Sequence, residues 1–153
     1  MDLEILKDNS NIRNIVEEIA NKYRMKLSPH NASGNLSNFT WKIETPVNHF
    51  IVYFDIESYW YFIENGRKPG KRPPIEAIEN WINIKPIVPD ARSGRVPTTK
   101  QLAFLIARSI GENGTQGHHL LKETLDDSEV LITAIKQEIA KEIKTFIEDG
   151  FYH

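Results

Sequence analysis

The apolar residues of this chain change their spacing twice, and that change limits the fold more than any other feature. Ile12, Ile15, Val16, Ile19, Ala20, Tyr23 and Leu27 recur every three or four positions, the stripe of an amphipathic helix. Ser10 stands where an N-cap belongs and Pro29 blocks continuation, so a helix is expected over 10–27, with "SPHNASGN" as a loop. The period then drops to two. Phe39, Trp41 and Ile43 alternate with Thr40, Lys42 and Glu44, a half-buried strand. Pro46 and Asn48 mark a turn, and "HFIVYFDI", rich in β-branched and aromatic residues, supplies a partner strand. The result is a hairpin over about 37–56. The near-continuous apolar character of its second strand predicts burial on both faces. An isolated hairpin is marginal in water, so a third strand, helices or another subunit must cover it.

The helical spacing returns downstream. In "ESYWYFIENG", Tyr59, Phe62 and Ile63 fit one helical face, with Gly66 closing a short helix in left-handed geometry; a third strand is the competing reading. Pro73 and Pro74 open a helix over about 74–84, with Ile75, Ile78, Trp81 and Ile82 inward. "KPIVPDARSGRVP" reads as a polar, proline-punctuated loop. Thr98 and Gln101 have capping-box spacing ahead of a helix over 99–111 that is apolar nearly all round, as a central or subunit-clamped helix would be. "GENGTQG" breaks it, and "HHLLKETL" allows one or two turns. A last helix is expected over 128–148, with Leu131, Ile132, Ile135, Ile139, Ile143, Phe146 and Ile147 inward and Gly150 as its cap. The expected architecture is α+β: an antiparallel hairpin or small sheet packed with four to five helices, one domain over residues 1–153.

Charge is uneven. The net charge is only -2, yet residues 66–100 carry eight Lys or Arg against three acids (+5), and residues 112–150 carry four Lys against nine acids (-5). Such a chain can dock head to tail on copies of itself, or simply present two solvated faces. The absence of cysteine excludes disulfides, thiolate catalysis and Cys-based zinc sites. The N-terminus lacks the basic and apolar regions of a signal peptide, and no stretch approaches the roughly 20 apolar residues that span a bilayer.

Catalytic patterns are weak. His118 and His119 are adjacent, not four apart as a helical metal pair requires, and His30, His49 and His153 stand singly. Asp55, Glu57 and Glu64 lie close in sequence without the lysine or histidine of a recognisable nuclease pattern. No enzyme activity, metal or cofactor is expected. What stands out is "ENGRKPGKRPP", residues 64–74, with four cations, two glycines and three prolines. Arg67, Lys68, Lys71 and Arg72 could neutralise phosphates, engage an acidic surface, or be solvated turn residues. Pro69 removes an N–H that a phosphate cradle would use, and the prolines stiffen the loop for contact. Arg92 and Arg95 extend the basic region, while Glu64, Gly66, Pro73 and Pro74 are positioned to set the loop's shape.

Taken together, "YFIENGRKPGKRPPIEAIENWI", "PTTKQLAFLIARSIGENGTQG" and "HHLLKETL" resemble the head–tail joining and tail-completion proteins of tailed bacteriophages, the HK97-type minor tail proteins. The matching positions are Phe62, Glu64 and Gly66, then Pro73 and Pro74, then Trp81. Downstream they are Leu102, Ala103, Ile106, Ala107, Ile110 and Gly111, then Gly114, Thr115, Leu120 and Leu121. The resemblance spans roughly residues 57 to 125 and departs at Gly117-His118-His119-Leu120, where many relatives carry an Arg-Pro-Phe type anchor. It implies a structural virion protein of the neck or tail, made in the host bacterial cytoplasm and without enzymatic activity. Such proteins form homo-oligomeric rings, commonly of six or twelve copies, that join portal and adaptor to the tail and help seal the DNA channel. DNA in the channel is a further expected contact, and no membrane is involved. The alternative expectation is a DNA-binding accessory protein using the basic 66–100 region.

Overall fold

Helix α1 (Ser10–Leu27) is the post on which the two C-terminal helices and the N-terminal 3-10 segment pack. Its apolar stripe buries Ile12, Val16, Ile19, Ala20, Tyr23 and Leu27, the residues whose spacing predicted the helix. Each large side chain removed from water contributes roughly 1.5–3 kcal/mol relative to leaving it exposed. The cap is Asn9 rather than Ser10: Asn9 has extended dihedrals, and its Oδ1 accepts from the Ile12 N–H at 3.0 Å, while Ser10 is already helical. A 3-10 segment, Leu3–Asp8, precedes it and drops Leu6 into the core. The structure is a computed structural model that describes residues 3–30, 35–84 and 96–151. Within the expected 28–35 loop, Ser28–His30 forms a 3-10 turn. The predicted loop from 85 lies outside the described residues up to position 95.

β1 (Thr40–Glu44) and β2 (Ile51–Asp55) pair antiparallel, Thr40 opposite Asp55 and Glu44 opposite Ile51. Phe39 and Ile43 are buried, as the alternation requires. Burial of β2 on both faces is not found: Val52 and Phe54 are half-buried, and Tyr53 is 43% exposed. Among the described residues this sheet has two strands, and Ile43, Trp41, Val52 and Phe54 pack against the α1 cluster.

"ESYWYFIENG" forms a helix, α2 (Trp60–Asn65), not a third strand of the hairpin. Phe62 is not inward as expected but 44% exposed. Gly66 does end the helix, but with φ 76° and ψ -176°, a positive-φ conformation open essentially to glycine rather than the left-handed helical one, and the chain runs straight into β3 (Gly66–Arg67). α3 (Ile75–Ile84) and α4 (Thr99–Asn113) pack on each other, and neither packs extensively on any other element. The capping box forms as predicted, Gln101 N–H to Thr98 Oγ1 at 3.2 Å and Thr98 N–H to Gln101 Oε1 at 3.0 Å. α4 passes the expected stop at 111 and ends at Gly114. It is not surrounded by core: Ala103, Ala107 and Gly111 face inward, while Phe104 and Leu105 stay exposed.

β4 (Thr115–Gln116) returns to pair with β3, and α5 (Leu120–Asp127) and α6 (Glu129–Phe151) follow. α6 continues through Gly150, which is therefore no cap, and Phe146 and Ile147 are about half exposed, at 49% and 50%, rather than inward. Two adjoining cores result. Leu6, Ile12, Val16, Ile19 and Ile43 meet Ile135 of α6; Tyr23, Leu27, Leu36 and Phe39 meet α2 and α5. The fold is the α+β single domain that the sequence indicates, its hairpin joined by a second, short strand pair, β3–β4, that the sequence did not announce.

Candidate functional site

The basic loop is held by what precedes and follows it. Glu64 is the buried acid of this region, 8% exposed at the end of α2. Its carboxylate accepts from the backbone N–H groups of Leu121 (2.7 Å) and Lys122 (3.1 Å) in the first turn of α5. Its carbonyl accepts from His119 N–H at 3.1 Å, and the Ile63 carbonyl from His118 N–H at 2.8 Å. A negative group at that end of a helix satisfies orphan donors and opposes the helix dipole favourably. Burial, and secondarily the Glu64 charge, push the Tyr23 phenol up to about 12.

Beyond Glu64 the chain is pressed against the 114–117 segment. A Cβ on Gly66 would collide with the Thr115 carbonyl and stand 2.6 Å from Gly117 N, and one on Gly114 (φ 68°) would collide with the Arg67 carbonyl. Only glycine allows these backbones to approach so closely. The turn is then pinned at its tip, where Gly70 N–H donates to the Gly111 carbonyl at 2.7 Å. Pro73 is buried and Pro74 exposed at the entry to α3, where the Ile78 N–H reaches the Pro74 carbonyl at 3.4 Å.

The four cations divide into two pairs. Arg67 lies over the Phe62 ring at 5.0 Å and Arg72 over Phe104 at 5.5 Å, contacts worth roughly 0.5–1 kcal/mol at such sites. Lys68 and Lys71 are exposed, and among the described residues no carboxylate lies within ion-pair distance of either. Arg92 and Arg95 lie outside the described residues. Of the acids that could answer these cations, several are engaged within the chain: Glu123 and Asp127 with Lys26 (3.5 and 3.0 Å), Glu112 with Arg108 (2.9 Å) and Glu148 with Lys144 (3.9 Å).

The carboxylates weighed as nuclease candidates do not assemble. Asp55 and Glu57 are exposed, while Glu64 is committed to α5. His118 packs against His30 with the rings tilted by 42° and their centroids 4.4 Å apart. Among the described residues there is no group of three or more His, Asp or Glu able to hold a metal, and no helix long and apolar enough to cross a membrane.

A second feature has no counterpart in the sequence reading. The inner face of β2, α1, α5 and α6 enclose an apolar groove of about 630 Å³ with a single charged side chain, Lys136, on its wall. Nor did the sequence reveal that Phe62 and Phe104 support the arginines, or that Glu64 reaches a backbone 57 residues away. The only advance signals were the acid before Gly66 and the glycines around 111–117.

No protein-family model, curated protein or solved structure matches this chain.

Proposed function

We propose that this chain is a structural protein of a tailed-bacteriophage neck or tail: a ring-forming component that joins portal and adaptor to the tail and helps seal the DNA channel. The reading rests on the sequence resemblance and on one structural observation, the braced basic turn. Its backbone is fixed by the β3–β4 pair and the Gly70–Gly111 bond, its arginines lean on aromatic rings, and Lys68 and Lys71 point to solvent. A turn fixed before binding loses little entropy on docking, and cations on its rim steer an acidic partner and set register. Surface complementarity, not bond-making, is its chemistry.

Lys68→Glu with Lys71→Glu is the cleanest test, because neither lysine supports the fold. Docking on purified portal complexes, followed by co-sedimentation, is expected to weaken by at least about tenfold, with circular dichroism unchanged. Undiminished docking would reject the loop's role. Tight binding of wild-type protein to duplex DNA with a steep salt dependence, read by fluorescence anisotropy, would instead favour the DNA-binding accessory reading.

A further inference from the structure

The groove and the end of α6 fit one another. α6 runs antiparallel along α1. Lys22 and Lys26 near the α1 C-terminus reach Asp127, and Asn9 at its N-terminus donates from Nδ2 to Glu142 at 3.1 Å. Residues 143–151 therefore continue past the start of α1, an overhang of about 13 Å at helical rise. That overhang carries Ile143, Phe146 and Ile147 at i, i+3 and i+4, one apolar face, with Phe146 and Ile147 about half exposed. Glu148 and Asp149 follow immediately and are exposed, Glu148 held by a long 3.9 Å pair with Lys144. The groove offers the opposite set: half-buried Val52, Phe54 and Ile132 along its walls, and exposed Lys136.

We infer that the overhanging end of α6 seats in the β2–α6 groove of a second copy, Ile143, Phe146 and Ile147 against its walls and Glu148 and Asp149 facing its Lys136. An amphipathic helix laid in an apolar groove is a recurrent recognition mode, and its anchors are the i, i+3 and i+4 side chains found here. Tip and groove are different places on the chain, so the joint is head to tail and repeats into a ring or filament. This rests on the reading of the chain as a ring component and names the joint between its copies.

The chain has no cysteine, so engineered pairs report cleanly. Leu125 lines the groove and is exposed, so Leu125→Cys and Phe146→Cys in one chain, oxidised at high protein concentration with and without portal complexes, should give a ladder of covalent oligomers. Each single variant should stay monomeric, and an equimolar mixture of the two should stop at dimer. Lys136→Glu should lower the cross-linked fraction at least severalfold, and adding Glu148→Lys and Asp149→Lys should restore it. Absence of a ladder in correctly folded double variant overturns the joint. So does a covalent dimer from Tyr53→Cys alone, which would mean that β2 edges pair across copies instead. Portal co-sedimentation of wild-type protein separates the two claims. Docking without a ladder leaves the virion reading standing and removes the joint; a ladder without docking does the reverse.

Discussion

The α1–hairpin body and the α3–α4 arm allocate their large side chains in opposite ways, although the helices of the arm are the more apolar in sequence. The body turns Leu6, Ile12, Tyr23, Leu27 and Leu36 fully inward. In the arm the inward positions of α4 are Ala103, Ala107 and Gly111, while Phe104, Leu105 and Trp81 are 44%, 55% and 37% exposed. The difference follows from backbone spacing. α4 meets the basic loop so closely that a Cβ on Gly111 would stand 2.6 Å from the Arg72 side chain. Position 111 therefore takes no side chain, and the bulky residues of α4 turn outward. Apolar content alone therefore does not locate a core; what decides is which side of the helix a neighbouring backbone approaches.

This contrast can be broken by substitution. Ile12→Ala should lower the unfolding free energy by about 2–5 kcal/mol, a cavity in packed surroundings. Phe104→Ala, which leaves no cavity, should stay within about 1 kcal/mol, chiefly the lost Arg72 contact. Urea melts of the two proteins measure both, and equal losses would erase the distinction. Between these, Glu64→Ala sharpens it by testing the seam: two N–H groups of α5 lose a charged acceptor, for an expected loss of about 1–3 kcal/mol. Hydrogen exchange should quicken at Leu121 and Lys122 before it does in α3 or α4.

The smallest effect at neutral pH belongs to Tyr23→Phe, which keeps the ring stacked on Phe54. The phenol's folded pKa of about 12 lies above the ordinary 10.0, so the neutral form is favoured by folding. That contribution is complete below pH 10 and is lost as pH rises toward 12. The variant should keep its stability over that window while the wild type declines. Parallel decline in both would place the alkaline sensitivity elsewhere.

Local periodicity made the elements legible. Ile12 to Leu27 specified α1 to within its cap, Phe39 and Ile43 specified the inward face of β1, and Thr98 with Gln101 marked the start of α4. Errors arose where a distant backbone decides the outcome. Phe62 looks inward by spacing, but Arg67 holds it from the solvent side. Ile147 continues a sound stripe past the start of α1, where no described residue covers it fully. Of the site, the cations and glycines could be read in advance, but not their supports. Glu64 finds Leu121, and Gly114 finds Arg67, only once the chain has closed on itself.

Glu64 also gives the molecule a load path. Force applied at the basic turn passes through a charged clamp into the first turn of α5, and from α5, by way of Lys26, into the central post. A pull on the loop is thus shared with α5 and α1.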